Sequence, residues 1–113
     1  MGRTPRRAAG ATALSAALIV RAQARAEIDE AFEWYRVRSP QASTDFLAVV
    51  DEALREIAED PERFPVVSGQ LRRIVLPRFP YAVYYKIYPR TISIVGVIHG
   101  HRHPDTWLAR AGP

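Results

Sequence analysis

The chain has 113 residues, 48% of them apolar and 25% charged, which suits one small globular domain with a single core and leaves no length for a second. Cysteine is absent, which excludes disulfides, thiolate metal sites and a thiol nucleophile and fits the reducing cytosol. The formal net charge of +4 and a sequence pI near 10.0 point to an acidic partner (nucleic acid, an anionic surface or an acidic protein) or to a solvated basic surface.

Residues 1–15 are small, basic and without apolar periodicity, and read as a flexible leader. Arg3, Arg6 and Arg7 before an apolar run ending at Val20 imitate a signal peptide. That run is alanine-rich and weak, which favours the competing reading of Ala17 to Val20 as the first strand of a domain over residues 16–110. No stretch is long and apolar enough to span a bilayer.

From Ala24 to about Arg38, Ile28, Ala31, Phe32 and Tyr35 fall at i, i+3, i+4 and i+7, the stripe of an amphipathic helix. Ser39 and Pro40 end it and start a second helix, because serine caps free amides and proline suits the first helical position. Phe46, Val49, Val50, Ala53, Leu54 and Ile57 carry the second stripe until Asp60 and Pro61 stop it. So short a link predicts an antiparallel hairpin. A proline-containing loop, 61–69, follows.

Beyond Gly69 the period becomes two, predicting strands at Leu71 to Leu76, Tyr81 to Tyr88 and Thr91 to His99. In the middle run Tyr81, Val83, Tyr85 and Ile87 alternate with Ala82, Tyr84, Lys86 and Tyr88, which predicts a sheet with one covered face and one partly uncovered. Pro104 to Arg110 can form a short terminal helix returning Trp107 to the domain. The expected fold is α+β: an N-terminal strand, a two-helix antiparallel hairpin, a three-stranded antiparallel meander and a short C-terminal helix.

The stretch from Arg72 to Arg110 carries an arginine pair opening a strand, an FPY-V-Y-type strand, an I-x-I-x-x-V-I-H strand and an HxHRxPxxW ending. With the AxxEIxEAxxWY and SPQAxxxF segments before it, this resembles the RelE/ParE toxins of type II toxin-antitoxin systems over about residues 17 to 110, with the ParE branch favoured. The resemblance implies a cytoplasmic plasmid-stabilisation type of toxin that forms a hetero-oligomer with a cognate antitoxin covering its open surface. It implies no cofactor and no metal. ParE-like members are regarded as inhibitors of DNA gyrase without a hydrolytic site, whereas RelE-like members cleave mRNA on the ribosome.

Arg72, Arg73, Arg78, Arg90 and Arg102 are candidates for phosphate or target contact, because guanidinium forks bind phosphate bidentately, although each alone is more often a surface ion-pair partner. Trp107 could stack on a base or pin the terminal segment to the core. Should the chain be a ribonuclease, His99, Arg102, Arg73 and Lys86 are the candidate catalytic set. Lys86 is the one lysine and no tyrosine follows Trp107, so that set is incomplete against the RelE pattern and the non-enzymatic reading is preferred. An inert member that only binds its antitoxin is the third reading. His99, His101 and His103 alternate, but with no cysteine or well-spaced carboxylate they make a weak case for a metal site.

Overall fold

The computed structural model describes residues 17–100. Strand β1 (Ala17–Val20) is followed by helices α1 (Ala22–Arg38) and α2 (Pro40–Glu59), a 3-10 turn (Pro61–Arg63), and strands β2 (Val66–Ser68), β3 (Leu71–Val75), β4 (Tyr81–Ile87) and β5 (Thr91–His99). The expected α+β plan holds. The expected four strands are corrected to a five-stranded mixed sheet in the order β1-β5-β4-β3-β2. The terminal helix expected at Pro104 to Arg110 and the leader at 1–15 lie outside the described residues.

The added strand, β2, falls within the stretch read as a loop. It is three residues long, exposed throughout, and joins β3 with a register shift between Val66 and Ser68. A strand so short and unburied leaves no alternating pattern to read. β3, β4 and β5 form the antiparallel meander, and β1 lies parallel to β5 at the other edge, Ala17 opposite Thr91 and Val20 opposite Ile94. A parallel partner needs a long crossover, which the helices and the meander supply.

Ser39 serves both helices. Its amide donates to Tyr35 O at 2.7 Å, closing α1, and its Oγ accepts from Ala42 N at 3.2 Å, opening α2 with Pro40 in the first turn. The hairpin packs on one sheet face, where Ala24, Ile28 and Ala31 of α1 and Phe46, Val50, Ala53 and Ile57 of α2 meet Val83, Tyr85, Ile92, Ile94 and Val97.

The spacing Ile92, Ile94, Val97, His99 records an interruption. Ile94 pairs with Tyr85 and Val97 with Val83, so two residues of β5, Val95 and Gly96, stand against Tyr84. This bulge moves the core-facing positions from even to odd numbers, which the x-x between Ile94 and Val97 encodes.

The second sheet face is open at Ile19 and Val75, whereas Ala82, Tyr84 and Lys86 are buried, and Leu71, Ala82, Tyr84 and Ile98 form a small second apolar cluster with Val95 beside it. Leu71 shares this face because Arg73, two residues on, lies opposite Tyr84.

Candidate functional site: the cleft between α1 and β5

β1 ends at Val20, opposite Ile94, where Arg21 N donates to Ile94 O at 3.0 Å and the chain turns into α1. The second half of β5 therefore has β4 on one side and α1, not a strand, on the other. Glu27 bridges that boundary. It lies on the apolar stripe of α1, three residues after Ala24 and beside Ile28, and its carboxylate accepts from Val97 N at 2.9 Å in a buried setting. A buried amide without an acceptor is costly, so Glu27 supplies on this edge what a neighbouring strand would otherwise supply.

Between α1 and β5, toward the end of the strand, lies a cleft of about 470 Å³. Ala31, Trp34 and Tyr35 form its helical wall, Pro80, Tyr81, Val97 and His99 its sheet wall, and Glu27 and Glu30 its acidic side. The walls are stiffened from behind by an aromatic cluster in which Phe46 and Phe79 stand 5.5 and 5.2 Å from Tyr35, and Tyr81 stands 5.5 Å from Phe46. His99 packs edge-on against Tyr81 at 5.1 Å, fixed by their register pairing at the strand ends. Trp34 is 51% exposed, with the Arg38 guanidinium 3.7 Å above its ring. Such a cleft suits a hydrophobic anchor flanked by a positive charge. Burial raises the Tyr35 phenol, so Tyr35 stays a neutral wall through the physiological range.

The arginines singled out in the sequence do not converge. Arg72 lies on the helix-side face and is spent on the chain itself, donating from Nη1 to Phe64 O at 2.6 Å and Glu62 O at 3.1 Å. Arg73, its neighbour, lies on the opposite face across from Tyr84. Arg78 is exposed in the β3–β4 turn with its guanidinium 5.7 Å from the Phe79 ring, and Arg90 is exposed in the β4–β5 turn at the other end of the strands. Among the ribonuclease candidates, His99 opens onto the helix-side cleft, whereas Lys86 is 5% exposed on the other face, opposite Ser93. Arg102 and Trp107 lie outside the described residues, as do His101 and His103.

Glu27, Glu30 and Trp34 enter the sequence only as letters of the AxxEIxEAxxWY segment, with no site role assigned to them. A carboxylate on an otherwise apolar stripe was the available signal for Glu27. Trp34 sits off the stripe, and nothing local shows that the strand opposite it runs out.

The chain matches the family described as "ParE toxin of type II toxin-antitoxin system, parDE" over residues 18–104. Among solved structures it is similar to one titled "Chromosomal ParDE TA system from P. aeruginosa", with a TM-score of 0.68 at 17% identity, covering 76% of this chain and 97% of that one. No curated protein matches it in sequence. At that identity the likeness concerns the fold. The family match spans the hairpin and the meander, and with them every residue of the cleft.

Proposed function

Because the chain belongs to the ParE toxin family of type II toxin-antitoxin systems, we propose that it is the toxin of such a pair, acting in the cytoplasm on DNA gyrase and neutralised by a cognate antitoxin that occupies the α1–β5 cleft. The cleft is the observation that carries the reading. Trp34, Tyr35 and Tyr81 around a cleft of about 470 Å³ are the residue types that dominate binding energy at interfaces, and they converge where β5 lacks a strand neighbour. The partner segment has a bulky apolar anchor for the Ala31–Tyr81–Val97 floor and a lysine or arginine for Glu30.

Two observations weigh against mRNA cleavage as the activity. General acid, charge stabiliser and base must reach one phosphate, yet His99 faces the helix side while Arg73 and Lys86 face the other. Lys86 is moreover buried. A domain that acts by binding needs no such convergence.

Induced expression with and without the antitoxin, followed by supercoiling and mRNA-cleavage assays on purified protein, tests the reading. Growth arrest relieved by the antitoxin, with supercoiling lost and mRNA intact, is expected. Codon-positioned cleavage on the ribosome would replace gyrase with mRNA as the target, and harmless expression with antitoxin binding retained would reduce the chain to an inert binder.

A further inference from the structure

Helix α1 turns Ala24, Ile28 and Ala31 toward the sheet, yet its outer side holds two large apolar residues in the open: Trp34 is 51% and Val37 65% exposed. Three residues apart, they are neighbours on the helix surface and line one shallow groove with Ala26, Glu30 and Arg38. Single exposed apolar side chains are ordinary, but a tryptophan beside a valine, rimmed by charge, makes a patch of the kind that marks an interaction surface.

The charges on this face stand in a definite order. Glu33 and Arg36 pair with each other, whereas Glu30 and Arg38 have no ion-pair partner among the described residues. Those two lie four residues before and four after Trp34, about one helical turn to either side of it. Arg38 is held in place, since its Nη1 donates to Trp34 O at 2.8 Å and its guanidinium lies 3.7 Å above the Trp34 ring.

We propose that this face binds a second copy of the chain, the two α1 helices crossing antiparallel about a twofold axis at Trp34. A twofold contact requires a patch that is its own complement. Reversing the helix about Trp34 exchanges positions 30 and 38, so Glu30 of each copy meets Arg38 of the other around an apolar centre of Trp34 and Val37. A parallel crossing would instead set Glu30 against Glu30 and Arg38 against Arg38, and like charges facing each other disfavour it. A single helix pair is a small contact, so the dimer belongs to the weak, concentration-dependent class. Glu30 and Trp34 also line the α1–β5 cleft, so a seated copy closes that side of it.

Sedimentation equilibrium on the full-length chain tests this; it needs neither antitoxin nor target, so the proposal stands apart from the toxin reading. A monomer–dimer equilibrium is expected, and Trp34→Ala should weaken the association at least about 30-fold. Glu30→Lys and Arg38→Glu should each weaken it about tenfold, because each sets like charges together at both ends of the contact. Mixed in equal amounts, these two variants should associate as native chains do, each supplying the charge the other lacks. A chain that stays monomeric, a dimer indifferent to Trp34→Ala, or a mixture no more associated than either variant alone would overturn the proposal. The substituted side chains are all exposed, and circular dichroism checks that the variants fold; should one not fold, the native chain and the remaining variants decide.

Discussion

Arg72 and Tyr85, directly opposite each other on β3 and β4, fasten the same stretch of backbone to the sheet. Arg72 holds the carbonyls of Glu62 and Phe64, and the Tyr85 hydroxyl donates to Pro61 O at 2.6 Å. An arginine conspicuous as a phosphate ligand in the sequence is thereby a clasp closing the end of the hairpin onto the meander. Arg72→Ala should cost about 2 kcal/mol, since the carbonyls lose a charged donor, and lower the melting temperature by roughly 10 °C. If Arg72 instead served the target, the variant would keep its stability and lose toxicity, so urea melts beside growth assays separate the two roles.

Tyr85 makes the clasp sensitive to alkali. Burial pushes its phenol up to about 12; Arg72 opposes the shift and Asp60 adds to it. The folded state thus holds this proton more tightly than the unfolded chain, whose tyrosine titrates near 10. The stabilisation is complete below pH ~10 and is lost as pH rises toward about 12, amounting to roughly 2 kcal/mol. Urea melts of native protein and Tyr85→Phe across that window should show the native protein losing more stability. Parallel decline would mean that the phenol is not the group responsible.

How much of this was legible in the sequence differs from element to element for physical reasons. The helices and the Ser39–Pro40 junction were readable because stripe, cap and proline are local signals. The bulge was written in the Ile94-x-x-Val97 spacing, although its meaning needs the register with β4. Arg72 and Arg73, adjacent in sequence, face opposite ways because of the pleat, so an arginine pair overstated the positive surface. The cleft was not legible. It exists because β1 is four residues long and β5 is nine, and the consequence of that mismatch falls on Trp34 and Glu27, remote from either strand in sequence.

Glu27 tests whether the carboxylate or merely an acceptor is needed at Val97. Glu27→Ala leaves a buried amide without its bond and should destabilise the fold by about 2 to 3 kcal/mol. Glu27→Gln keeps a carbonyl oxygen in place and should cost about 1 kcal/mol or less. Equal losses in chemical denaturation would indicate that the negative charge matters more than the hydrogen bond.

Trp34 separates stability from recognition. Its ring is half exposed and contacts Tyr35 and Arg38 of its own helix, so Trp34→Ala should lower stability by about 1 kcal/mol or less. As an interface anchor its removal should weaken antitoxin binding at least about 30-fold, the effect of truncating a central aromatic. Calorimetric titration of the antitoxin into native and Trp34→Ala protein measures this; equal affinities would move the antitoxin off the cleft.

Arg78 is the one non-glycine residue with a left-handed backbone among those described, at φ 68°, in the turn between β3 and β4. That conformation costs an L-residue on the order of 1 kcal/mol, and the cation stands exposed with only a loose approach to Phe79 in return. Glycine relieves the strain but frees the unfolded chain, so Arg78→Gly should be neutral or stabilise by up to about 1 kcal/mol, whereas Arg78→Val, branched at Cβ, should destabilise by more than about 1 kcal/mol. The glycine variant also bears on function, because a strained cation kept at a turn tip is explained if the guanidinium meets the target. Growth arrest weakened in Arg78→Gly while its urea midpoint is held or raised would place Arg78 in target contact. Full toxicity at the same midpoint would leave the turn geometry without a functional reason and shift attention to the cleft and the end of β5.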